Sequence, residues 1–178
     1  VRRSELAARF YGHPSKDVCC LGVTGTNGKT SIAFHLTDLS QRLGVTSGYC
    51  GTLGWGELGH LRATQLTTPS AVALQEYLAA MRSDGVTRIA MEVSSHALDQ
   101  GRVAAVHFEV AVFSNLTRDH LDYHKTVEAY KAAKAKLFQH WPLNTAVINS
   151  DDPVGRELLC TSRAREVISY GKHGDVSW

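Results

Sequence analysis

The residues Gly22-Val23-Thr24-Gly25-Thr26-Asn27-Gly28-Lys29-Thr30-Ser31 bring glycines, hydroxyls and one lysine together where the apolar run Val18–Val23 gives way to an amphipathic stretch. Glycines let backbone N–H groups turn toward an anion, and a helix N-terminus adds partial positive charge. Lys29 supplies an ammonium and Thr30 a metal-directed hydroxyl, so the chemistry implied is binding of a nucleoside triphosphate with Mg²⁺. The strict pattern G-x-x-x-x-G-K-[ST] asks for glycine where Val23 stands, whereas the shorter form G-T-N-G-K-T is met throughout. The alternative is a glycine-rich strand-to-helix turn with an incidental lysine.

Two further places hold reactive side chains. Glu92 interrupts the apolar run Ile89-Ala90-Met91-Glu92-Val93. A lone buried carboxylate is costly, so it should be paired or metal-bound and could face the phosphate loop; otherwise the strand alternates and Glu92 points to solvent. Asn115-Leu116-Thr117-Arg118-Asp119-His120-Leu121-Asp122-Tyr123-His124 is a polar run with two histidines and two aspartates. It reads equally as a metal or phosphate site or as a solvated loop, because its spacing matches no known metal signature. Ser94-Ser95-His96 lacks the G-x-S-x-G turn of a serine hydrolase.

The elements that must position these residues alternate along the chain. Apolar strands are expected at Val18–Val23, Arg88–Ser94, Val106–Asn115, Thr145–Asn149 and Glu166–Tyr170. Helices are expected at Lys29–Leu43, closed by Gly44, at Thr126–His140 and at Asp152–Cys160. Another helix is expected to run to about Asp84, with Thr68 as its cap and Pro69 at its first position. The glycine-rich Gly48–His60 reads as a loop or short hairpin, and a turn is expected at Gly171–Gly174. Strands separated by helices predict an α/β fold with a doubly wound, mainly parallel sheet, in which ligands gather beyond the carboxyl ends of the strands.

At 178 residues, 43% hydrophobic, 20% charged and a formal charge of +2, the chain can bury a sizeable core in one domain. Its basic residues are dispersed, which argues against nucleic acid as a partner. No apolar run approaches the roughly 18 residues needed to span a bilayer. Cys19, Cys20, Cys50 and Cys160 form no C-x-x-C pair and read as reduced thiols, which points to the cytoplasm. The first residue is Val1 rather than methionine, and the expectation is a fragment of a longer protein.

Taken together, Gly25–Thr30, Thr67-Thr68-Pro69, Met91–Leu98, Asn115–His124 and Ala132-Ala133-Lys134 resemble, in order and spacing, the Mur ligases of peptidoglycan synthesis. Within them the nearest resemblance is to the branch that adds the third amino acid of the stem peptide. The resemblance implies that residues 1–15 are a linker from an N-terminal UDP-binding domain and that 16–178 form a truncated central ATPase domain. The C-terminal amino-acid-selecting domain would be absent, and these residues alone would not ligate.

By the same resemblance, Gly25, Thr26, Asn27, Gly28, Lys29, Thr30 and Ser31 hold the ATP phosphates, and Thr30, Glu92, His120 and Lys134 serve Mg²⁺. Lys134, the lysine of Tyr130-Lys131-Ala132-Ala133-Lys134, would be carboxylated by CO₂ to a carbamate, giving it a catalytic role beside Lys29 and His120. Without the resemblance, Lys134 reads as a surface lysine beside Lys131 and Lys136. Thr67, Thr68, Ser94, Gln100 and Arg102 would contact a UDP-N-acetylmuramoyl dipeptide, to which an amino acid, meso-diaminopimelate or otherwise L-lysine, is joined. No obligate protein partner is implied. Two rivals stand beside this reading: another Mur-type ligase of the cyanophycin or folylpolyglutamate synthetase kind, and a nucleotide-binding module without ligase activity.

Overall fold

The computed structural model describes residues 2–172, so the last part of the expected turn at Gly171–Gly174 lies outside the described residues. Its centre is β1 (Cys19–Thr24), flanked on both sides by parallel strands, β4 (Arg88–Glu92) and β5 (Phe108–Phe113). Around them β2 (Ser47–Gly51), β3 (Gly54–Gly56), β6 (Thr145–Asn149) and β7 (Glu166–Tyr170) complete a seven-stranded sheet of order β3-β2-β4-β1-β5-β6-β7. Among the strand pairs of the described residues, β2–β3 alone is antiparallel, extended by an antiparallel bridge between Trp55 and Arg62. The doubly wound, mainly parallel sheet expected from the alternation is therefore present.

Helices cover both faces, as a parallel sheet requires. On one face α2 (Lys29–Arg42) sets Ile32, Phe34 and Leu36 against Leu21, Val23, Tyr49, Ala90 and Val112. On the other, α3 (Ala71–Ser83), α4 (Ser95–Asp99), α6 (Val127–Gln139) and α7 (Pro153–Thr161) bury Leu74, Leu78, Met81, Leu98, Leu137, Phe138 and Leu158 against Cys20, Met91, Val93 and Phe113. At the N-terminus, α1 (Arg2–Phe10), with Ser4, Ala7 and Ala8 buried, packs on α3, and the Ser4 hydroxyl donates to the Arg102 carbonyl and accepts from the Ala105 N–H.

Two expectations about elements need correction. The short hairpin read at Gly48–His60 is present as β2–β3, turning at Gly51–Gly54, but it is no loop: Ser47–Gly51 is also a fully buried strand of the main sheet, paired parallel with β4. Its glycines sit where side chains from elsewhere fill the space: a Cβ on Gly48 would overlap the Met81 sulfur, and one on Gly51 would overlap the Glu92 carboxylate and the Tyr49 hydroxyl. The cap of α3 is Ser70, whose hydroxyl accepts from the Ala73 N–H, so Pro69 precedes the helix. Thr68 is turned instead toward β4, where its hydroxyl donates to the Glu92 carbonyl and accepts from the Ser94 N–H.

Candidate active site

Strands β1, β4 and β5 end side by side, and the loops leaving them meet above the sheet. The loop after β1 enters α2 through Gly28, whose φ of 86° lies in the left-handed region open to glycine. Gly25 fits tightly: a Cβ there would overlap the Ser114 hydroxyl and come within 3.1 Å of the Asn115 backbone. Asn115 clamps the loop from β5, accepting from the Asn27 N–H at 3.0 Å and donating to the Asn27 carbonyl at 3.2 Å. Helices α3, α4, α6 and α7 each carry an N-cap side chain that accepts from their first turn, whereas α2, starting at a glycine, has none. Those uncapped N–H groups and the helix dipole suit an anion, so this loop fits a phosphate chain.

Lys29 folds back over the loop, donating to the carbonyls of Gly25 at 3.0 Å and Thr26 at 2.8 Å. Burial lowers its pKa, opposed by the charges of Glu92 and Asp119. Thr30 points the other way and donates to Glu92 Oε2 at 3.0 Å. Glu92 is 1% exposed, which excludes the solvent-facing alternative. Its carboxylate also accepts from the Tyr49 hydroxyl at 2.5 Å and from the Thr52 N–H at 2.7 Å. These bonds satisfy a charge that would be very costly to bury alone. A hydroxyl and a carboxylate at the foot of a phosphate loop match the oxygen ligands that Mg²⁺ favours. Among the described residues no group of three or more His, Cys, Asp or Glu side chains could hold a metal, so most of the coordination would fall to phosphate oxygens and water.

Lys134 is not a surface lysine. It is 1% exposed on the inner face of α6, donates to the Gly25 carbonyl at 2.7 Å and lies 4.7 Å from the Tyr130 ring centre. Burial first, and then the nearby charge of Lys29, pull its pKa down to about 7, against the opposing charge of Asp119. At neutral pH a large share of this amine is therefore unprotonated and nucleophilic. The sign for stability follows from linkage. From about pH 7 to 10.5 the unfolded chain holds a proton on Lys134 that the folded chain does not, so folding stability rises with pH across that window. In CO₂-free buffer the native protein is expected to gain about 1 kcal/mol per pH unit there relative to Lys134→Met. Parallel urea titrations at pH 7, 8 and 9 measure this, and equal slopes for the two proteins would show that the buried amine keeps its ordinary pKa.

The expected residues are largely brought together. Lys29, Leu66, Thr67, Thr68, Ser94, Ser95, His96, Arg102, His120 and Lys134 line one cavity of about 280 Å³. Arg102 reaches it from beyond α4, donating to the Thr68 carbonyl at 2.9 Å. Gln100 is not part of the lining but accepts from Arg102 Nε at 2.8 Å. Ser94 caps α4 by accepting from the Ala97 N–H, and the Thr67 hydroxyl shares a hydrogen bond with that of Thr52 at 3.1 Å. His120, about half exposed and with φ 52°, opens α5 (Leu121–His124). Its ring meets His96 edge-on at 5.0 Å, and His96 in turn contacts Tyr123 and His124.

Several participants were not singled out from the sequence. Tyr49 and Thr52 hold Glu92, Asn115 and Ser114 clamp the loop, and the Tyr130 hydroxyl lies 3.1 Å from the Thr26 hydroxyl. Tyr130 lies in the motif that contains Lys134 and Asn115 opens the polar run, so the residues were visible while their partners were not.

Residues 23–178 match the family model described as the Mur ligase middle domain. The chain is 55% identical over 159 residues to the UDP-N-acetylmuramoyl-L-alanyl-D-glutamate--2,6-diaminopimelate ligase of Xylella fastidiosa strain Temecula1, covering 89% of this chain and 32% of that protein. It is 52% identical to the ligase of the same name from Pseudomonas aeruginosa, covering 94% and 34%. The chain thus spans about a third of the length of the curated relatives it matches. Among solved structures, one of a ligase of that name superposes with a TM-score of 0.86 at 36% identity, over 97% of this chain and 37% of that one. The folylpolyglutamate synthase of Mycobacterium tuberculosis, solved with ADP and AMPPCP, superposes at 0.76 with 18% identity over 98% and 47%, a likeness of fold. With the family model matched over nearly the whole chain, this protein belongs to the Mur ligase middle-domain family.

Proposed function

We propose that this chain is the ATP-binding part of a ligase that joins the third amino acid, meso-diaminopimelate, to UDP-N-acetylmuramoyl-L-Ala-D-Glu in peptidoglycan synthesis. The observation that carries the proposal is the shared cavity, where Lys29 of the phosphate loop and the buried Lys134 face Thr67, Thr68 and Arg102. A phosphoryl donor and a carboxylate acceptor bound there would meet. The curated relatives, named for diaminopimelate, support that amino acid over L-lysine.

In this reading the γ-phosphoryl group of ATP passes to the terminal carboxylate of the muramoyl dipeptide. The amine of diaminopimelate attacks the resulting acyl phosphate, the C–N bond forms, and phosphate leaves. Lys29 leaves the carbonyls it now bonds and neutralises charge on the transferring group. Thr30 and Glu92, with His120 beside the cavity, would hold Mg²⁺, which supplies electrostatic stabilisation to the transferring phosphoryl group. Arg102 offers a charge-assisted hydrogen bond to an acceptor carboxylate. Lys134 is read as a carbamate: its neutral nitrogen attacks CO₂, an N–C bond forms, and the amine proton leaves to water. Burial and the depressed pKa support that step.

The test is phosphate release by the whole ligase with ATP, Mg²⁺ and UDP-N-acetylmuramoyl-L-Ala-D-Glu, comparing diaminopimelate, L-lysine and no amine. Release at least tenfold faster with diaminopimelate is expected. Tight ATP binding with no amine-dependent release would favour a non-catalytic nucleotide module instead.

A further inference from the structure

His120 and Arg102, both lining the cavity, are carried by different segments, the loop 115–125 and the stretch 94–102. His124 joins the two segments through its Nε2, 2.9 Å from the Ser95 hydroxyl, and Tyr123 joins them further out. Tyr123, on α5, donates its hydroxyl proton to Asp99 Oδ2 at 3.1 Å and accepts from Gln100 Nε2 at 3.2 Å. Asp99 is fixed from its other oxygen by Lys136 of α6 at 2.9 Å, and that ammonium, followed by the Tyr123 bond, holds its carboxyl below the usual range. Gln100 passes the connection to Arg102 at 2.8 Å and Arg102 to the Thr68 carbonyl at 2.9 Å, on the acceptor side. The Tyr123 ring also lies 4.2 Å from His96 of α4, whose ring abuts His120.

The loop needs such an anchor. It enters α5 at His120 with φ 52° and leaves at Lys125 with φ 67°, both in the left-handed region that non-glycine residues occupy only where their surroundings impose it. The His120 ring nitrogen lies 3.6 Å from the carboxylate of its own neighbour Asp119, itself about half exposed, and that contact does not tie the ring to the sheet. The ring contacts of His120 are to Tyr130 of α6 at 5.9 Å and to His96 at 5.0 Å, and Tyr123 packs on the His96 ring while its hydroxyl reaches α4.

We propose that Tyr123 is a positioning residue that sets His120 against the Arg102–Thr68 arm through its bridging hydroxyl, so that metal and acceptor carboxylate are presented in register. This rests on the roles of His120 and Arg102 given under the proposed function. Tyr123 touches neither substrate nor metal in this assignment and acts through Gln100 and His96.

Tyr123→Phe keeps the ring on His96 and removes the hydroxyl. In the whole ligase, the KM for UDP-N-acetylmuramoyl-L-Ala-D-Glu and the Mg²⁺ concentration for half-maximal rate are each expected to rise about three- to tenfold, the scale of one or two lost hydrogen bonds. The KM for ATP should stay within about twofold, because Lys29 and the loop glycines are untouched. Asp99→Ala should give a similar pattern, and the double variant should be no worse than the worse single one, since both cut the same bridge. Unchanged KM and Mg²⁺ requirement in Tyr123→Phe, or additive effects in the double variant, would overturn the proposal. Amide hydrogen exchange of the same proteins gives a readout independent of turnover: the bridge predicts faster exchange in both 116–125 and 99–102. If the native ligase shows no amine-dependent phosphate release, the proposed function fails, and exchange alone decides the bridge, with unchanged rates in either segment counting against it.

Discussion

Lys134→Ala is expected to reduce amide formation by the whole ligase by about three orders of magnitude or more, the loss typical of removing a preorganised charged group from a phosphoryl-transfer site. Short carboxylates such as formate, acetate or propionate at high concentration should restore part of the rate, because they can place an anion where the proposed carbamate would stand. The unmodified lysine would be poorly suited to such a role. Its ammonium would be a buried cation beside Lys29, and burial first, then that neighbouring charge, pull its pKa down to about 7. The variant should fold, since among the described residues the side-chain hydrogen bond it gives up is the one to the Gly25 carbonyl. Activity within tenfold of native, or rescue by methylamine rather than by carboxylates, would show that an amine is what the site uses.

Gly25→Ala is the other substitution with a large expected effect. Gly25 has φ 150° and no free space: its new methyl would overlap the Ser114 hydroxyl, which holds the Asn27 carbonyl at 2.6 Å, and would press on the Asn115 backbone. Either the β5 loop or the phosphate loop must move, and both carry the same clamp. A stability loss of about 2–4 kcal/mol is expected from overpacking at a strained position. The fall in ATP affinity should exceed what stability explains, reaching about a hundredfold, because the N–H groups of α2 would no longer converge. Calorimetry of nucleotide binding by folded protein separates the two effects. Native affinity would mean that the loop forms its cradle only after the nucleotide arrives.

Much of this architecture was legible because burial and local chemistry point the same way. Val18–Val23 followed by glycines and Lys29 could hardly be other than a strand turning into a helix, and Thr126 caps α6 as its type and place suggest. The second strand was hidden because its composition answers to neighbours far along the chain. Gly48 and Gly51 leave room for Met81 and Glu92, a demand no local pattern records. Thr68 was read as a helix cap because threonine before proline is a good local start, but the Glu92 carbonyl and the Ser94 N–H compete for its hydroxyl and prevail. Glu92 announced itself as a carboxylate in an apolar strand, while Tyr49 and Thr52, which make that burial possible, did not. The resemblance to a known family supplied what chemistry alone left open, above all at Lys134, where the residues by themselves favoured an exposed amine and the structure shows a buried one.

The placing of β1 between β4 and β5 has a consequence for how the chain acquires this shape. Both partners, Arg88–Glu92 and Phe108–Phe113, emerge long after Cys19–Thr24, so the strand that launches the loop into α2 stays unpaired until the chain has been made at least as far as β4. Its ladder contacts span long sequence separations, whose closure entropy must be met before burial rewards it, and this favours slow folding. Early local structure should therefore be helical, chiefly α2 and α6, with the nucleotide cradle among the last parts to form. A nucleotide would then act late, trapping molecules whose central strands have already met, and refolding should be accelerated little by ATP while the folded yield rises.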